Sequence, residues 1–244
     1  MNIHLNRIDG FDDAIISMFL SKRTLRRELE CEIRKEVNSC TANSFNELLP
    51  LGAFRRKTNK LNEWLHTLRK WCPKHITMGR FIDFSFTVYG LHRAGQDDID
   101  SHAKRMGNRI IRSSTRLADF SPGEMSSFYE GKIIPTDLAL AALGIEAPEE
   151  LECNGHVYVK GVNGYILKGM ENNKDVKRGL YMLSIPSNFI FKIDLTEFAH
   201  VFKERNRDGT ANPEVKDCIE TATDQLSEAT YGFVDRDLLL GIKN

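Results

Sequence analysis

The 244 residues include 34 Lys and Arg against 34 Asp and Glu, a formal net charge of zero. That balance argues against broad electrostatic adhesion to nucleic acid or to an anionic membrane. No stretch approaches the roughly 18 consecutive apolar residues of a membrane-spanning helix, and the N-terminal MNIHLNRIDGFDDAI has early acidic residues and no apolar core, unlike a secretory signal. Five cysteines (Cys31, Cys40, Cys72, Cys153 and Cys218) are odd in number, scattered, and form no CxxC pair. They read as reduced thiols of a cytoplasmic protein rather than as a disulfide framework or a zinc site.

In chain order, Ile3 to Leu5 reads as a short strand and Asp12 through Val37 as one helix with a charged, solvated second half. Cys40 to Leu51 carries Ser, Thr, Asn and Pro and reads as a loop. Leu61 to Trp71 is helical, with Leu61, Trp64, Leu65 and Leu68 at core spacing. Phe81 to Tyr89 mixes aromatic and β-branched residues in partial alternation, which predicts a strand. Gly90 to Asp100 reads as an exposed acidic loop, with Asp97, Asp98 and Asp100 solvated.

A turn is expected at Ser121 to Gly123 and a short helix at Pro135 to Leu143. His156 to Leu167 reads as a hairpin turning at Asn163-Gly164. Leu180 to Ile193 is strand-like and broken at Pro186. Asp194 then caps a helix, with Glu197 three positions on. Asn212-Pro213 starts the last long helix, whose buried stripe is Val215, Cys218, Ile219, Ala222 and Leu226. No repeat or linker interrupts the pattern, so the expectation is a single α+β domain over residues 1–244.

The segment Lys104 to Leu117, KRMGNRIIRSSTRL, carries most of the functional information. Arg105, Arg109, Arg112 and Arg116 recur at steps of four, three and four, so a helix would align four guanidinium groups beside the Ser113-Ser114 hydroxyl pair. Guanidinium forks match phosphate and carboxylate oxygens, and four clustered cations call for a compensating anion. Other chemistry is missing from the sequence: no GxGxxG, no GxxxxGK loop, no GxSxG elbow and no HExxH. Cys72, in KWCPKH, reads as a half-buried thiol in a surface turn.

Several separated segments, in order, resemble the flavin-dependent thymidylate synthase family. Phe81 to Val88 stands where the family has F-E-H-x-x-F-T-F, with Asp83 at the histidine position. Arg93-Ala94 matches its S-R-A, and Ser114-Thr115-Arg116 matches the S-x-R that closes its R-H-R-x-x-S signature, whose opening falls on Lys104-Arg105-Met106. Arg178 and Pro186, in KRGLYMLSIP, parallel the arginine before an L-P strand. Phe198, His200, Phe202 and Arg205 parallel F-x-H-F-x-x-x-R, and Ala211 to Val215 echoes A-Q-x-E-I. The resemblance is clearest over residues 81–226.

The resemblance implies an α+β homotetramer with a central mixed or antiparallel sheet flanked by helices. It implies FAD, NADPH and methylenetetrahydrofolate, and transfer of a one-carbon group to C5 of dUMP or a related pyrimidine nucleotide. Ser113, Ser114, Arg116, Arg178 and Arg205 would hold the nucleotide, with Arg205 as the catalytic cation. Lys104, Arg105 and His200 would contact the flavin. Asp194 and Thr196 occupy positions where the family has a flavin-contacting asparagine and arginine. Two other readings stand beside this one: a non-catalytic relative that binds a nucleotide without flavin, and a nucleic-acid-binding module using the Arg105–Arg116 stripe, which the zero net charge disfavours. No metal site is expected.

Overall fold

A computed structural model describes residues 1–43, 49–102, 109–113, 124–129, 136–161, 163–173, 180, 183–205 and 212–242. The fold is of the α+β class. Two sheets are found among these residues: one of four strands in the order β1-β2-β7-β3 and one of three in the order β4-β5-β6. The first is formed by β1 (Asn2–Asp9), β2 (Asp83–His92), β3 (Arg109–Arg112) and β7 (Pro186–Asp194); the second by β4 (Glu150–Cys153), β5 (His156–Gly161) and β6 (Gly164–Leu167). By its internal packing the chain divides into two compact units, one of Asn2–Val88, Asp97–Ile111 and Phe189–Asn244, the other of Met1, Tyr89–Gln96 and Arg112–Asn188.

The first unit is built on an aromatic core. In β2 the predicted alternation holds: Phe84, Phe86 and Val88 are buried while Asp83, Ser85 and Thr87 face outward. Phe86 stacks on Phe191 at 5.1 Å between centroids and on Phe198 at 5.9 Å. Strand β1 lies at the end of its sheet, and its outer edge is closed by side chain and loop. Gln225 accepts from Leu5 N and donates to Ile3 O, each at 2.7 Å. Leu51 O accepts from Ile8 N at 2.8 Å, and Leu51 N donates to Asn6 O at 3.1 Å. An edge saturated in this way offers no template to another strand.

The long N-terminal helix expected from the sequence is two helices, α1 (Phe11–Ser21) and α2 (Arg27–Cys40). Thr24 N donates to Phe19 O and Arg23 N to Leu20 O, with Arg23 at φ 56°. This is a Schellman closure with arginine at the left-handed position, where glycine is the usual signal. Helix α3 (Asn59–Trp71) buries Leu61, Trp64, Leu65 and Leu68 as expected and is capped by Thr58 Oγ1, which accepts from Leu61 N. The short α4 (Ile76–Gly79) follows. Cys72 is buried at 1% exposure rather than half-buried at a surface, because the end of α3 packs inward. Burial pushes its thiol up to about 12, which leaves it inert at neutral pH.

Further on, α5 (Arg93–His102) takes in Asp97, Asp98 and Asp100, so the acidic run is helical and not a loop. Helix α6 (Thr136–Ala142) matches its expected place. The hairpin β5–β6 forms with Gly161 opposite Gly164, which puts the tip one residue earlier than Asn163-Gly164; Asn163 takes φ 62°. Helix α7 (Leu195–Arg205) begins at Asp194, whose Oδ1 accepts from Glu197 N at 2.9 Å as the spacing predicts. Helix α8 (Pro213–Ala229) is capped by Asn212 and buries the predicted stripe; α9 (Arg236–Gly241) closes the described chain. The expected turn at 121–123 lies outside the described residues.

Candidate functional site

The segment singled out as an arginine helix is a strand at Arg109–Arg112, which overturns the helical stripe for those two arginines. Ile110-Ile111 favours extended backbone, and the strand's continuation at Ser113 N donates to Asn188 O at 2.8 Å. The remaining members, Lys104, Arg105, Ser114 and Arg116, lie outside the described residues, as does Arg178. The described candidates are Ser113, His200 and Arg205.

Arg205 belongs to the first unit. It stands at the end of α7, seven residues after Phe198 and three after Phe202, so a cation continues the core-facing stripe of the helix. It is only 5% exposed. Its Nη2 donates to the carbonyl oxygen of Asp98 on α5. Its Nε is buried and has no partner among the described residues. Burial pulls its pKa down, while the carboxylates of Asp98 and Glu204 pull the other way. An arginine remains protonated under such opposing pulls, so the site holds a desolvated cation with a donor that no described residue takes up. His200 is half-buried on the same helix but five residues back, and therefore does not share the face of Arg205.

The start of α7 is closed off by its own chain. Thr196, 4% exposed, donates its hydroxyl to Ile76 O at 2.9 Å, and Leu195 N donates to Ile82 O at 2.8 Å. Asp194 is 8% exposed. Burial raises its pKa, opposed by the hydrogen bond from Glu197 N and reinforced by the charges of Glu197 and Asp83. Asp83 itself pairs with Lys192 at 2.6 Å.

In the second unit Ser113 is half-buried, and its carbonyl accepts from Arg93 Nη1 at 3.4 Å. Arg112 Nη2 donates to Gln96 O at 3.4 Å. Gln96, fully buried, donates through Nε2 to Leu91 O and Ser187 O, each at 3.0 Å. Its Oε1, and the hydroxyls of Ser184 and Ser187, are buried without partners among the described residues. Sequence reasoning named neither Gln96 nor these two serines. A single glutamine on a helix and serines flanking Pro186 carry no motif, and only burial distinguishes them. Among the described residues no group of three or more His, Cys, Asp or Glu could hold a metal, and no helix is long and apolar enough to cross a membrane.

No family model matches the chain, and no curated protein matches its sequence. Its structure does match solved ones. Thymidylate synthase X from Helicobacter pylori, solved with FAD and dUMP, superposes with a TM-score of 0.56 at 14% identity, covering 98% of this chain and 100% of that one. A second structure of the H. pylori flavin-dependent enzyme, also with FAD and dUMP, gives 0.55 at 14% identity over 98% and 99%. A UMP/dUMP methylase, PolB, from Streptomyces cacaoi, solved with 5-Br dUMP, gives 0.53 at 10% identity over 95% and 92%. The chain has the fold of the thymidylate synthase X enzymes.

Proposed function

We propose that this chain binds a pyrimidine nucleoside monophosphate, dUMP or a close relative, and readies C5 of its ring for one-carbon transfer. The observation that carries the reading is Arg205: a buried guanidinium, anchored at one nitrogen by the Asp98 carbonyl and with an Nε donor that no described residue takes up. A fixed cation of this kind stabilises charge that develops on a ring carbonyl oxygen when C5 becomes nucleophilic, and it does so without a covalent nucleophile. Two of the three buried thiols agree, because Cys72 and Cys218 are both pushed up to about 12 by burial and supply no thiolate at neutral pH. Ser114 and Arg116 are the proposed phosphate ligands, through hydroxyl and bidentate contacts, with Ser113 and Arg178 as further contacts to the nucleotide. Methylenetetrahydrofolate as one-carbon donor and a homotetrameric state extend the same reading. The fold shared with one enzyme solved twice with dUMP and with a methylase solved with 5-Br dUMP supports it.

Calorimetry with dUMP on the wild type and on Arg116→Ala tests the phosphate half. The wild type binds, and loss of the arginine–phosphate contact weakens binding by about 1.5–3 kcal/mol. No heat with the wild type sinks the proposal.

A further inference from the structure

Of the positions that the resemblance assigns to a flavin dinucleotide, Asp194 and Thr196 stand together at the start of α7 and can be judged on that turn's geometry. Neither offers a surface. The Thr196 hydroxyl is spent on Ile76 O at 2.9 Å, and facing it is Gly79, where a Cβ would lie 2.8 Å from Thr196 Oγ1. Helix α4 therefore sits against the first turn of α7 so closely that even an alanine side chain would force a shift. Leu195 N, bonded to Ile82 O, fixes the same approach from the other side of the turn.

Charge points the same way. The exposed amides at a helix start are a natural anion site, and the pyrophosphate of a dinucleotide is such an anion. Here the Asp194 carboxylate already accepts from Glu197 N at 2.9 Å. Glu197 and Asp83 add negative charge close enough to raise the Asp194 pKa along with its burial. A further anion brought to this turn meets the carboxylates of Asp194 and Glu197 as well as a closed surface. These residues do not fit a flavin.

We propose that this chain holds its pyrimidine nucleotide with no resident flavin beside it, the first turn of α7 being closed by segment 76–82. The inference rests on the nucleotide reading above. It makes the isolated chain a nucleotide-binding protein in which no step of one-carbon transfer is carried on a bound flavin.

The test uses the full chain in two separate arms: flavin fluorescence on titration with FAD, and dUMP calorimetry with and without added FAD. The expected result is colourless protein, no saturable quenching of FAD, and a dUMP Kd that changes by less than about twofold when FAD is present. Stoichiometric FAD in the purified protein, saturable quenching, or a dUMP Kd tightened about tenfold by FAD overturns the inference. Absence of dUMP heat in both conditions overturns the nucleotide reading instead, and the FAD arm keeps the two failures apart.

Discussion

The unit of Asn2–Val88, Asp97–Ile111 and Phe189–Asn244 buries Phe54, Phe84, Phe86, Phe191 and Phe198 almost completely. The unit of Tyr89–Gln96 and Arg112–Asn188 leaves Leu138, Leu143, Ile145, Leu151, Val157 and Leu183 exposed. In the first, even the free edge of β1 is closed by Gln225 and Leu51. In the second, Gln96 Oε1 and the Ser184 and Ser187 hydroxyls are buried without described partners. Apolar burial is the dominant stabilising term and unpaired buried polar atoms oppose it. The first unit is thus a scaffold that supports a buried cation, Arg205, whereas the described residues of the second leave more of their large apolar side chains exposed.

The comparison can be broken most decisively at Phe86, which stacks on Phe191 and Phe198 and meets Phe84 edge-on. Phe86→Ala should cost about 3–5 kcal/mol in chemical denaturation; a loss below about 1 kcal/mol would mean that the aromatic core is not what holds the scaffold. Hydrogen exchange sharpens the contrast next. Amides of β4, β5 and β6 should open at free energies at least about 2 kcal/mol below those of β2, and equal protection of the two sheets would erase the distinction.

Asp194→Asn gives the smallest effect. Asparagine caps a helix as well as aspartate does, and it removes a partly desolvated charge. The folded pKa of Asp194 lies above its ordinary value, so the folded state binds its proton more tightly than the unfolded chain does. Stability from this group is greatest below the unfolded pKa and is lost as pH rises through the folded one. The variant should therefore match the wild type in acid and exceed it, by less than about 1 kcal/mol, at neutral pH. A variant less stable than wild type at neutral pH would show that the charge itself holds the cap.

Sequence periodicity revealed those elements whose own residues decide their form. Leu61, Trp64, Leu65 and Leu68 announce α3, Asp194 with Glu197 announces the start of α7, and Asn212-Pro213 that of α8. It failed where tertiary pairing overrides local preference. Arginines at helical spacing mask the extended Arg109–Arg112, which its neighbour β7 and the β-branched pair Ile110-Ile111 favour together. The break after α1 rests on Arg23 in a left-handed conformation and carries no glycine to mark it. Arg205 was legible as a motif residue, but its burial was not: that follows from Phe198 and Phe202 sharing its face and from the Asp98 carbonyl arriving from α5.

The central claim is that Arg205 faces a pyrimidine nucleotide, and dUMP calorimetry on Arg205→Met tests it most directly. Methionine keeps an apolar stem of similar length in the buried slot while removing every donor. The account predicts a variant that still folds, by circular dichroism, and binds dUMP at least about tenfold more weakly than wild type. A folded variant with unchanged dUMP affinity would contradict it.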